Sequence, residues 1–193
     1  DKNDANVSAF MATTAQNAID KGWNIIYDSL DNEGNVMEIT GTTGVYDCPL
    51  MVNTSNCIKL IVTKGTNIGF TIGASTTRPI RIVCGSIDTV MLLIGKKEEE
   101  IRILAENEIV NIYGYVRDIV INKTNNPTAT VKILEAKDNI SLRWVEIEDI
   151  SSMTTLNVSG CSTLDDIVCK QTKNIASLNI SGCPNLKTLI CEG

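Results

Sequence analysis

Triplets rich in Val, Ile and Leu recur along most of the chain, with polar turn residues between them. Val145-Glu146-Ile147, Ile167-Val168-Cys169 and Leu189-Ile190-Cys191 stand 22 residues apart. Nearer the front, Leu60-Ile61-Val62, Ile82-Val83-Cys84 and Ile103-Leu104-Ala105 follow at steps of 22 and 21. A second column lies between these: Phe70-Thr71-Ile72, Leu92-Leu93-Ile94, Val110-Asn111-Ile112, Lys132-Ile133-Leu134, Leu156-Asn157-Val158 and Leu178-Asn179-Ile180, at intervals of 18 to 24. Each triplet has the length and the β-branched or leucine-rich character of a short strand. Two strands per coil cannot bury an apolar face alone, so the coils must stack. The pattern predicts a mainly β fold, a leucine-rich-repeat-like parallel β-solenoid of six or seven coils with 21–22 residues each.

The first fifty residues follow a different pattern. Asp4 is a candidate N-cap for a helix over Ala5 to Lys21, with Val7, Met11, Ala15 and Ala18 on one face and Gly22 at its end. Trp23 to Tyr27 and Val36 to Thr40 are strand-like, and the turn residues between them suit a hairpin. Residues 1–56 are therefore read as an N-terminal helix-plus-hairpin cap, and residues 57–193 as one continuous solenoid domain.

The clearest repeat is LNVSGCSTLDDIVC, Leu156 to Cys169, against LNISGCPNLKTLIC, Leu178 to Cys191. Seven of the fourteen positions are identical. Leu156, Val158, Leu164 and Ile167 are expected to point inward and to stack on Leu178, Ile180, Leu186 and Leu189. Gly160 and Gly182 are expected at a corner where a Cβ would clash or φ must be positive. Asn157 and Asn179 are placed outward, with an inward ladder bonding the turn backbone as the alternative. The two segments resemble the repeat of secreted leucine-rich-repeat proteins of Gram-negative gut bacteria, which typically runs Leu-x-Val-Ser-Gly-Cys-x-x-Leu-x-x-Leu-x-Cys. The match is close over about 36 residues and loose from Leu60 to Ile147, where the Ser-Gly-Cys corner is missing. It does not reach the first fifty residues. The resemblance implies an exported protein at the cell surface or outside the cell, often lipid-anchored, with adhesion as one role of such proteins. A lipid anchor would lie upstream of Asp1, and the opening Asp1-Lys2-Asn3-Asp4 fits a chain whose targeting segment has been removed.

The middle of the array is irregular. Ile119-Val120-Ile121 arrives early, and the polar stretch Asn122 to Ala129 follows as a bulging loop. Drift in an old repeat accounts for it. The sharper alternative is a binding loop of Asn122, Lys123, Thr124, Asn125 and Asn126, since function often sits on loops held by a rigid scaffold.

Composition narrows the chemistry. The 193 residues contain no histidine, which removes histidine-based nucleophilic catalysis and His-ligated zinc. The net charge of −6 shows no basic stripe, so no nucleic-acid partner is expected. The longest apolar runs are too short to cross a membrane. Seven cysteines include no CxxC pair. Cys161 over Cys183 and Cys169 over Cys191 read best as reduced core ladders, with disulfides and a metal as the alternatives. Cys48 and Cys57 could close a short loop or simply be buried. Glu146, Glu148, Asp149, Asp165 and Asp166 offer carboxylates, but with no Arg or Lys expected at the matching positions they are expected to form a solvated acidic face. Six Asn-x-Ser/Thr triplets, at Asn6, Asn53, Asn122, Asn139, Asn157 and Asn179, are explained mostly by the repeat.

No catalytic constellation, cofactor or metal is expected. The expectation is a non-catalytic surface or secreted binding and adhesion protein with an unknown protein or glycan partner. A β-helix-type polysaccharide-acting enzyme and a purely structural domain of a surface assembly remain as alternatives. An apolar last coil would also favour an end-to-end homodimer.

Overall fold

A computed structural model describes residues 25–30, 36–39, 52–128 and 130–192. Among them there are strands and turns and no helix. The helix expected over Ala5 to Lys21 lies outside the described residues. The chain divides into two compact units, Asp1–Met51 and Val52–Gly193. In the first, β1 (Ile25–Leu30) and β2 (Val36–Ile39) form the expected antiparallel hairpin, with Ile25 opposite Ile39 and Leu30 opposite Val36.

The second unit holds two sheets around one core. Its strands are β3 (Cys57–Val62), β4 (Asn67–Gly73), β5 (Arg78–Cys84), β6 (Ile87–Leu93), β7 (Glu98–Leu104), β8 (Ile109–Gly114), β9 (Asp118–Asn122), β10 (Val131–Glu135), β11 (Trp144–Glu148), β12 (Thr155–Asn157), β13 (Asp166–Lys170), β14 (Ser177–Asn179) and β15 (Thr188–Glu192). One sheet has seven strands, ordered β14-β12-β10-β3-β8-β5-β6. The other has six, ordered β15-β13-β11-β9-β4-β7.

From β9 onward the chain is a parallel solenoid of about three turns, not six or seven. It alternates between the sheets, so each strand pairs in parallel with the one a coil later. Val145 pairs with Ile167 and Ile167 with Leu189, while Leu134 pairs with Leu156 and Leu156 with Leu178. From β3 to β8 the pairing is antiparallel, and the expected front coils are not coils. The triplets at Leu60 and Ile82 both lie in the seven-stranded sheet, but β8 runs antiparallel between their strands. The triplet at Ile103 lies in the other sheet, antiparallel to β4. The spacing near 21 arises there because two strand-plus-turn units together are as long as one coil. The difference comes from which strands meet: β8 inserts between β3 and β5, and β5 turns straight back into β6. Gly85-Ser86 joins Cys84 to its partner Ile87, and a two-residue link can only reverse the chain. Gly85 takes φ +66°, and the Glu106 carboxylate accepts the Ser86 N–H at 2.8 Å.

Ile119-Val120-Ile121 stands 26 residues before Val145-Glu146-Ile147, four more than the period, yet it is in register with it. Ile119 pairs with Val145 and Ile121 with Ile147, so it is a regular member of its column. The residues in register show where the extra length lies. From Ile121 to Leu134 is 13 positions, whereas Ile147 to Leu156 and Cys169 to Leu178 are 9 each. The four additional residues therefore lie between β9 and β10.

The core follows the alternation of each strand. Leu60, Leu134 and Leu156 are fully buried neighbours across β3, β10 and β12, and Ile72, Ile119, Val145 and Ile167 line up across the other sheet. Leu156, Val158, Leu164 and Ile167 point inward as expected. In the last coil Leu178 is 36% exposed and Leu189 44% exposed.

The repeated corner has a physical explanation. Gly160 and Gly182 take φ of +75° and +71°, and a Cβ on Gly160 would collide with the Asp138 carboxylate. The cysteine after each glycine donates its thiol to a carbonyl in the coil before: Cys161 to Ala136 at 2.6 Å and Cys183 to Val158 at 3.1 Å. Burial pushes the Cys161 thiol up to about 11 and that of Cys169 up to about 12. The six described cysteines are free thiols, and Cys48 lies outside the described residues. The four described Asn-x-Ser triplets are turns, and Asn6 lies outside the described residues. The side-chain oxygens of Asn53, Asn139, Asn157 and Asn179 accept the N–H of Ser55, Ser141, Ser159 and Ser181, two residues on, at 3.0 to 3.2 Å.

Candidate functional site

At the corner that leads into each parallel strand of the six-stranded sheet, backbone bonds pass from coil to coil. The Arg143 N–H donates to the Arg117 carbonyl at 2.7 Å, Asp165 to Arg143 at 3.0 Å and Lys187 to Asp165 at 2.8 Å. These bonds set four charged residues in a row, one per coil. Strand spacing puts neighbours about 4.8 Å apart along it.

The side chains lock together. Arg143 reaches one Asp165 oxygen, with Nε at 2.7 Å and a terminal nitrogen at 2.6 Å. Lys187 Nζ reaches the other at 2.8 Å. The Asp165 side chain is 15% exposed, whereas Arg143 and Lys187 remain 55% and 71% exposed. Lys187 and Arg143 hold the Asp165 carboxyl below the usual carboxylate range. Arg117 pairs with Asp118, its sequence neighbour.

A second row runs beside the first, again at steps of 22: Ser141, Thr163 and Asn185. Each bonds main chain: Ser141 Oγ donates to the Val116 carbonyl at 2.8 Å, Thr163 Oγ1 to Leu142 at 2.9 Å and Asn185 Nδ2 to Ser162 at 2.6 Å. The antiparallel region supplies the facing wall. The Arg78 guanidinium lies over the Tyr115 ring, 5.7 Å from its centroid. Tyr115 and Ile140 are exposed. Together these residues line an open groove of about 650 Å³. Arg78, Arg117, Arg143 and Lys187 against Asp165 make its lining positive, in a chain whose net charge is −6.

The acidic residues singled out in the sequence are spread over several environments. Glu146 accepts the Trp144 indole N–H at 3.1 Å, Asp149 pairs with Lys123 at 2.9 Å, and Glu148 is exposed. Asp165 does have cations at its matching positions, one coil before and one coil after, which corrects the sequence reading. The signal was available: 143, 165 and 187 are separated by the repeat period. The row lies at the corner before each strand, outside the apolar triplets that mark the period.

The five loop residues are divided by the structure. Asn122, Lys123 and Thr124 border a hollow of about 300 Å³ with Glu148, Asp149 and Gln171. Asn125 and Asn126 are buried against β4. Asn126 accepts the Gly69 N–H at 2.9 Å and donates to the Gly69 carbonyl, and Asn125 Nδ2 donates to Thr71 Oγ1 at 3.0 Å. Gly69 is required there, because a Cβ would run into the Asn125 carbonyl.

Among the described residues no group of three or more His, Cys, Asp or Glu side chains is arranged to hold a metal ion. No described helix is long and apolar enough to cross a membrane. Fold and groove together define a two-sheet β-solenoid protein whose stacked corners carry a cationic row. No protein-family model, curated protein or solved structure matches the chain.

Proposed function

We propose that the chain is a non-catalytic binding protein, secreted or at the cell surface, that presents its solenoid to a protein or glycan. The groove built from equivalent positions of successive coils supports this reading most directly. Two of its cations, Arg143 and Lys187, are tied down by Asp165 and by backbone, yet keep most of their surface free. Solenoids characteristically bind through such repeated positions. The test is a binding screen of the purified chain against glycans, extracellular-matrix proteins and mucins, with a denatured control. A saturable, fold-dependent hit supports the reading. A blank on every class overturns it in favour of a purely structural domain.

A second reading, a β-helix-type polysaccharide-acting enzyme, draws on one observation: a carboxylate between two cations in an open groove. Release of shortened products from an acidic polysaccharide, abolished by Asp165→Asn, would establish it. Intact polymer after prolonged incubation removes it.

A further inference from the structure

The groove has a chemistry specific enough to name a class of ligand. Its cations are not scattered, because Arg117, Arg143 and Lys187 share one corner row. Arg143 and Lys187 flank Asp165 at a separation of two coils, about 10 Å at parallel-strand spacing. Arg78 faces this row from the antiparallel wall, its guanidinium stacked on Tyr115. Groups able to bond hydroxyls, Ser141, Thr163 and Asn185, run alongside in the second row at the same period. Tyr115 and Ile140 add exposed apolar surface.

We infer that the groove binds a linear acidic polysaccharide laid along the coil axis, with its carboxylate or sulfate groups on Arg78, Arg143 and Lys187 and its hydroxyls on the Ser141–Thr163–Asn185 row. This deepens the binding-protein reading and rests on it. The periodicity carries the argument. A polymer with regularly spaced acidic groups matches cations repeated along a rigid frame, whereas a compact anion would use only one of them. Arg143 and Lys187 are free to engage a ligand because Asp165 holds their positions while leaving more than half of each side chain exposed. Asp165 is thus a positioning residue. A nucleic acid fits less well, since successive bases need several aromatic faces and, among the described residues, Tyr115 is the one aromatic lining the groove.

Titration calorimetry with polygalacturonate and with chondroitin sulfate separates carboxylate from sulfate as the acidic group. Dextran serves as the neutral control and single-stranded DNA as the non-glycan polyanion. The expected result is saturable binding of at least one acidic glycan, weakened by salt, with no binding of dextran. The double variant Arg143→Ala/Lys187→Ala should lose at least tenfold in affinity while retaining the circular dichroism of the parent. Lys64→Ala, an exposed cation on the β3–β4 turn, should bind like the parent. Asp165→Asn should weaken binding less than the double variant, and a further loss on adding it to the double variant would contradict its positioning role. Equal affinity for single-stranded DNA, or unchanged affinity in the double variant, overturns the inference. If acidic glycans fail but a protein ligand binds and ignores the double variant, the inference falls while the binding-protein reading stands. A blank on every class removes both.

Discussion

The regions Cys57–Gly114 and Asp118–Glu192 extend the same two sheets by opposite rules. In the first, neighbouring strands are antiparallel, and although the chain mostly crosses between the sheets, it turns back within one sheet at Gly85-Ser86 and later brings β7 beside β4 and β8 between β3 and β5. In the second, the chain crosses to the other sheet after every strand, and neighbours are parallel. The core does not register the change. Leu60 and Leu134 meet across the seam in one sheet, and Ile72 and Ile119 in the other, with the same inward alternation on both sides. Side-chain burial is therefore indifferent to strand direction. The seam carries its own fastenings: the Lys59–Glu135 ion pair at 2.5 Å and the bonds of Asn126 to Gly69. The groove depends on this difference. Only the parallel region puts equivalent residues in a row, and only the antiparallel region supplies a facing wall.

The largest effects should come from the shared core. Leu60→Ala and Leu156→Ala each delete a fully buried leucine and should cost about 3 kcal/mol, in a single urea transition for either variant. Two separate transitions would mean that the regions fold independently and that the common core counts for little. Leu178→Ala, in the exposed last coil, should cost about 1 kcal/mol, because much of its side chain already meets water.

Asn126→Ala tests the seam. It leaves the Gly69 N–H and carbonyl buried without their partner and should cost about 2–3 kcal/mol. If the loss is below a few tenths of that, the loop is held by something other than this side chain.

The buried thiols of the parallel region make stability depend on pH. Folding raises the Cys161 and Cys169 pKa values above the ordinary 9.0, to about 11 and about 12. Their contribution to stability is thus complete below pH 9 and is lost as pH rises toward those folded values. The melting temperature should fall across this window, and by less in Cys161→Ala/Cys169→Ala once its lower starting stability is allowed for. At pH 8, iodoacetamide should label the exposed Cys191 well before either buried thiol. Equal labelling rates would mean that the ladder opens readily.

The smallest effect on stability belongs to the groove. Arg143→Ala and Lys187→Ala remove exposed partners of one carboxylate and should each change stability by less than about 1 kcal/mol. A larger loss would make the row a structural device first and a binding surface second.

By itself, the sequence determined the period, the strands and the inward residues. Repetition puts Leu156, Val158, Leu164 and Ile167 in the same environment coil after coil, and alternation chooses their face. It also determined the glycine corners, because position 160 leaves no space for a side chain. It misjudged how far the coils extend, since two strand-plus-turn units of the antiparallel region and one coil can have the same length and the same apolar spacing. Pairing direction is settled by which strand arrives beside which, a non-local fact visible only when β8 is seated between β3 and β5. The groove was half legible: the 22-residue steps through Arg143, Asp165 and Lys187 were there to be counted. Only the tertiary structure set Arg78 and Tyr115 beside them in one groove, because Arg78 comes from the antiparallel region and Tyr115 from the link that follows it, where no repeat connects them to the row.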